Sequence, residues 1–116
     1  MNETDMSLPH HRLLAYGVAV ELLHAVRACS IRDATLREQA LRSAKSACLN
    51  AAEGAGRTSR GEKARAFSVA RAEAGEAAAA VEIAAACGDA GAAPAGEVVR
   101  LASRLCRMLG PLARAR

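Results

Sequence analysis

The run Ser46-Ala47-Cys48-Leu49-Asn50-Ala51-Ala52-Glu53-Gly54-Ala55-Gly56-Arg57-Thr58-Ser59-Arg60-Gly61-Glu62 decides the fold, because it packs a helix end, a turn and a helix start into one short segment. Gly54 is suited to a left-handed C-cap and is expected to close the helix before it. Ser59 followed three residues later by Glu62 fits a capping box that opens the next helix. Upstream, Leu41, Ala44, Cys48 and Ala51 recur at three- and four-residue steps back toward Asp33, a suitable N-cap. Downstream, Phe67, Ala70, Ala74, Ala77, Val81 and Ala84 continue the same period until Gly88-Asp89. That second stripe is mostly alanine, so neighbouring helices can approach closely.

Two further helical segments flank this pair. The first is expected from about Leu8 to Cys29, with Pro9 tolerated in its opening turn. Ala15, Val18, Leu22, Ala25 and Cys29 mark one buried face. Leu13, Tyr16, Val20 and Leu23 form a second series roughly 155° around the helix at 100° per residue. One lone bundle cannot cover both faces, so the second series is expected at a contact between copies of the chain. The last segment is expected to begin after Pro94, with Ala90 to Gly96 as a loop. Val98, Leu101, Leu105, Met108 and Leu112 form its seam, and Gly110-Pro111 should end or kink it. Arg100, Arg104, Arg107 and Arg114 fall together on another face of it. Long amphipathic helices joined by short loops predict an all-α, antiparallel up-down-up-down four-helix bundle. Residues 1–116 read as one domain, with the polar stretch 1–7 expected to be a disordered tail.

Composition agrees with a helical reading. Hydrophobic residues are 52% and charged residues 24% of 116, a globular balance. Alanine, the best helix former, makes up about a quarter of the chain, and Tyr16 and Phe67 are its only aromatic residues of the Phe/Trp/Tyr type. Net charge is +4 with a pI near 9.2, and only Lys45 and Lys63 are lysines. Arginine enrichment has two readings: a surface whose guanidinium forks match phosphate oxygens, or the codon usage of a GC-rich genome. The positions of the arginines therefore carry more weight than their number.

Cys29, Cys48, Cys87 and Cys106 stand singly, without metal-ligand spacing, and read as small hydrophobes. The N-terminus carries no signal-peptide pattern, and the run Ala77–Cys87 is too short for a bilayer and contains Glu82. A cytoplasmic protein without membrane contact is expected. No Ser/His/Asp order, metal-binding His-Glu-x-x-His motif, P-loop or supported carboxylate pair appears, so neither enzyme activity nor a cofactor nor a metal is expected. Gly54-Ala55-Gly56-Arg57 follows a helix and not a strand, which argues against a dinucleotide site. His10, His11 and His24 read as solvated. Glu53 sits in a helix's last turn, where the dipole disfavours an anion, so Arg57 is expected to compensate it. Asn50 is expected to hold the turn one helical turn earlier. Asn50, Glu53 and Arg57 thus form either a structural brace or a ligand site.

The quoted segment resembles the four-helix-bundle proteins encoded in bacterial 23S rRNA intervening sequences, whose pattern reads approximately S-x-x-x-N-I-A-E-G-x-G-R-x-S-x-x-E. Ser46, Asn50, Ala52, Glu53, Gly54, Gly56, Arg57, Ser59 and Glu62 match in register. Phe67, Ala70, Arg71 and Glu76 fall in a second shared region, while Ala51 replaces an isoleucine and Ala72-Glu73 a Gly-Ser pair. The resemblance implies a bundle that assembles as a ring, commonly a homopentamer. It is also similar to the accessory variability protein of diversity-generating retroelements, a basic pentamer that engages RNA and reverse transcriptase. The expectation is a non-enzymatic oligomeric module that binds RNA or DNA backbone. Arg100, Arg104, Arg107 and Arg114 would carry that contact, with Arg42, Lys45, Arg57, Arg60 and Arg65 as secondary candidates. The alternative is a scaffold that docks a partner protein while its arginines stay solvated.

Overall fold

A computed structural model describes residues 7–114. Residues 1–6 of the expected tail and the last two residues lie outside that range. Within residues 7–114 four α-helices, α1 (Leu14–Ala28), α2 (Ala34–Gly56), α3 (Arg60–Ala86) and α4 (Ala92–Ala113), follow a 3-10 turn at Pro9–Arg12. Among the described residues there is no strand.

The expected first helix is in fact two pieces. Pro9 sits at the start of the 3-10 turn, and the Leu8 N–H donates to His11 Nδ1 at 3.0 Å, closing it. Leu13 is extended (φ −94°, ψ 115°), so α1 begins only at Leu14. For α2, Asp33 is the N-cap, its carboxylate accepting from the Leu36 N–H at 2.8 Å. The helix does not stop at Gly54, however; it runs to Gly56, and Arg57 leaves it in an extended conformation (φ −73°, ψ 156°). Gly54 is needed for another reason. A Cβ there would lie 2.6–2.8 Å from three atoms of the Phe67 ring, so the glycine lets α3's one large aromatic seat against α2.

The end of α2 is closed from the next helix. Lys63 Nζ donates to the carbonyls of Gly54 and Ala55 at 3.1 and 3.0 Å, satisfying acceptors that a helix terminus otherwise leaves free. Ser59 opens α3: its Oγ accepts from the Glu62 N–H at 3.1 Å and its hydroxyl donates to the Glu62 carboxylate at 3.2 Å. Gly88 (φ +78°) closes α3 with paired bonds, Gly88 N–H to Ala85 O at 3.1 Å and Asp89 N–H to Ala84 O at 2.8 Å.

The expected start after Pro94 and an end at Gly110-Pro111 both need correction. The helix starts at Ala92, so Pro94 lies in its first turn, where no N–H is required, and most of the expected loop is helical. At the other end α4 continues through Gly110-Pro111 to Ala113, because only the single bond that a Pro111 N–H would have made is lost.

Helix α2 packs on α1 and α3, and α4 packs on α3 and α1; α2 and α4 do not touch among the described residues. One apolar core joins all four helices. Its α2–α3 seam is nearly all alanine, with Ala44, Ala47 and Ala51 facing Ala70, Ala74 and Ala77, all inaccessible. The largest fully buried side chains are Leu22, Leu105, Leu109, Val81 and Val98, each contributing about 1.5–3 kcal/mol by leaving water. Ser43 is the one buried polar residue in this range, and Gln39 Nε2 donates to its hydroxyl at 3.3 Å. Among the described residues no helix is long and apolar enough to cross a membrane.

Candidate nucleic-acid interface

The four arginines singled out near the C-terminus all stand exposed, Arg100, Arg104 and Arg107 on α4 and Arg114 at its C-cap. At 100° per residue they span one solvent-facing stripe beside the buried row Val98, Leu101, Leu105 and Leu109. They are not equivalent. Arg100 grips Glu97 one turn back with a two-pronged contact, Nε to Oε1 and Nη2 to Oε2, both 2.7 Å. That pair holds the Glu97 carboxyl below its ordinary range and raises the Arg100 guanidinium further. Arg107 Nη1 donates to Ser103 Oγ at 2.8 Å, which orients it without consuming its charge. Arg104 and Arg114 make no ion pair among the described residues.

Sequence reasoning missed the fifth member of this face. Arg71 of α3 donates from Nε to the Cys106 carbonyl at 3.3 Å, and the Cys106 thiol donates to the Arg71 carbonyl at 3.6 Å. The two residues clasp α3 to α4. The signal was present: Arg71 shares a helix face with Phe67 and Ala74, and a charge on the flank of an apolar stripe must reach out along a neighbour. Burial pushes the Cys106 thiol up, while the Arg71 charge pulls it the other way.

The secondary candidates lie elsewhere. Arg42 and Lys45 are on the outer face of α2, around a shallow depression with Glu38, Leu41 and Leu49. Arg57 and Arg65 line a hollow of about 260 Å³ between α2 and α3, together with Asn50, Glu53 and Glu62. Arg60 is exposed at the start of α3. Since α2 and α4 are not neighbours, Arg42 and Lys45 do not share a patch with the α4 row.

Within the turn segment, Asn50 Nδ2 donates back along α2 to the Ser46 carbonyl and hydroxyl at 2.9 and 3.1 Å. Glu53 pairs with Arg57 at 3.5 Å, both about half exposed. Asn50 therefore bonds within α2 and does not reach the turn; the end of α2 is held by the Glu53–Arg57 pair and by Lys63, which the sequence did not announce. A scan against family models matches residues 13–110 to the 23S rRNA-intervening sequence protein family. The chain belongs to that family. No curated protein matches it. The match runs from Leu13, just before α1, to Gly110 in α4, so it takes in α1, α2, α3 and all but the last three residues of α4 in this 23S rRNA-intervening sequence protein, not the α2–α3 turn alone.

Of the face expected between copies, Leu13, Tyr16, Val20 and Leu23 are half-buried; Leu13, Val20 and Leu23 pack against the chain's own core. Tyr16 takes the His10 ring at a centroid distance of 4.7 Å, which leaves His10 half-buried where a solvated residue was expected. His11 and His24 are exposed. Other large apolar side chains stand open instead: Leu14 on α1 is 80% and Leu49 on α2 71% exposed, with Val69 and Ile83 on α3. The Cys29 and Cys48 thiols are buried and raised by desolvation, whereas Cys87 is exposed. No group of three or more His, Cys, Asp or Glu gathers as a metal site among the described residues.

Proposed function

We propose that this 23S rRNA-intervening sequence protein is a non-enzymatic, oligomeric module that binds the backbone of RNA or DNA through the basic face of α4. The observation that carries the reading is the stripe Arg104, Arg107 and Arg114, exposed, without ion pairs among the described residues, and joined laterally by Arg71. Guanidinium groups spaced along a rigid helix suit successive phosphates, and no aromatic platform accompanies them, so little sequence selectivity is expected. Several copies in a ring would raise a weak patch through avidity.

The helices are proposed to run up-down-up-down. In support, the α1–α2 and α3–α4 connections meet: the Arg32 N–H donates to the Asp89 carbonyl at 3.0 Å, and the Arg32 guanidinium reaches the Gly88 carbonyl. A ring requires two different patches that meet head to tail. The half-covered α1 series with Leu14, and the outer α2 surface with Leu41 and Leu49, are two such patches. The exposed Leu49 also favours a second reading, in which that α2 surface docks another protein and the arginines stay solvated.

Fluorescence polarisation with single-stranded RNA and duplex DNA, at low and moderate salt, separates the two. Binding that weakens steeply with salt is expected. No binding at low salt would leave the scaffold reading.

A further inference from the structure

The end of α4 brings two cations from different helices against the same small gap. Gly110 is buried, and a Cβ placed on it would lie 3.4 Å from Arg114 Nη1 and 3.9 Å from Arg71 Nε. Arg114 Nη1 and Arg71 Nε are therefore no farther apart than the sum of those two distances, beside a position where the chain has no side chain. Like charges this close repel, and neither group has a carboxylate within ion-pair distance among the described residues.

From this juxtaposition we infer that Arg71 and Arg114 form a two-pronged clamp for one phosphate group, over Gly110. Resting on the nucleic-acid reading, the inference names the atoms that hold the backbone and adds Arg71 to the α4 face. Arg71 is pre-positioned: its Nε is held by the Cys106 carbonyl and the Cys106 thiol returns a bond to its backbone, so its two terminal nitrogens remain free to donate. Arg114, just past the helix end, closes from the other side. A phosphate between them relieves the repulsion and takes charge-assisted bonds from both forks. Arg107, on the same stripe, would meet the next phosphate.

The test compares the wild-type protein with R71Q, R114Q and the double variant, each checked by circular dichroism, using labelled RNA and duplex DNA of fixed length. Each single change should weaken binding on the order of fivefold at low salt, equally for both nucleic acids, and reduce the salt slope by about one. The double variant should lose less than the product of the two, because both groups act on one phosphate. R114Q touches no core contact, so it keeps the test valid where R71Q loosens the α3–α4 clasp. Should the wild type bind while R71Q and R114Q titrate unchanged, the clamp is wrong and the broader reading stands. Should the wild type bind neither nucleic acid, that reading fails and inorganic phosphate decides the clamp. A rise in thermal midpoint with phosphate that both single variants lose supports it, and an equal rise in all proteins overturns it.

Discussion

Gly54 shows how a residue can be noticed for the wrong reason. Its place near a helix end made it look like a left-handed stop, but it lies within α2 and is buried under the Phe67 ring. No local rule carries that information, since the partner sits thirteen positions on and becomes a neighbour only when α3 folds back. Replacing Gly54 with Ala should force the ring or the helices apart and cost about 1–3 kcal/mol, read as a lower thermal midpoint; an unchanged midpoint would mean the ring yields freely. The arginines of α4 looked alike in the sequence, and their acid partner separates them. Glu97 is charged at neutral pH and, paired with Arg100, keeps that charge to lower pH than an ordinary carboxyl, so Arg100 stays engaged from neutral pH into the acid range. R104Q should therefore weaken nucleic-acid binding more than R100Q at pH 7 in parallel polarisation titrations. As pH falls through the depressed Glu97 value the pair is lost and Arg100 is released, which should narrow the difference.

At the level of helices, the periodic interiors were legible and the ends only partly so. Asp33, Ser59 and Gly88 act as caps where local chemistry places them, because each supplies a bond or a left-handed φ that the terminus itself requires. Pro94 and Gly110-Pro111 misled as stops, since Pro94 stands where no N–H is needed and Pro111 costs only one bond close to the end of the helix. The first turn and the last turn of α4 each tolerate a proline. The closure of α2 was hidden altogether, because Lys63 reaches it across a turn. Lys63→Met keeps the side chain's apolar length but frees the Gly54 and Ala55 carbonyls and removes a cation from a helix C-terminus. The expected loss is about 0.5–1.5 kcal/mol in urea denaturation, with faster amide exchange at the end of α2. A protein as stable as wild type would show that water serves those carbonyls equally well.

Over the whole molecule, the alanine seam between α2 and α3 and the leucine-rich row of α4 give a flattened body of 46 × 35 × 20 Å with a radius of gyration of 14.7 Å. A body about two helices thick exposes much surface, and here that surface sorts into a basic face on α4 and open apolar positions on α1, α2 and α3. The four-helix class and the α4 face could be read from the sequence, because each follows from the period of a single helix. The partition of the remaining basic residues, and the place of Arg71, depend on which helices are neighbours, and no one-dimensional pattern contains that. The proposed function requires that copies of the chain join, covering Leu14 and Leu49 and multiplying the basic face. A native mass measurement at micromolar concentration tests this most directly. The result predicted is an assembly of several copies of the 12.0 kDa chain, carrying nucleic acid that salt removes. A single-copy species free of nucleic acid, stable over that concentration range, would contradict it.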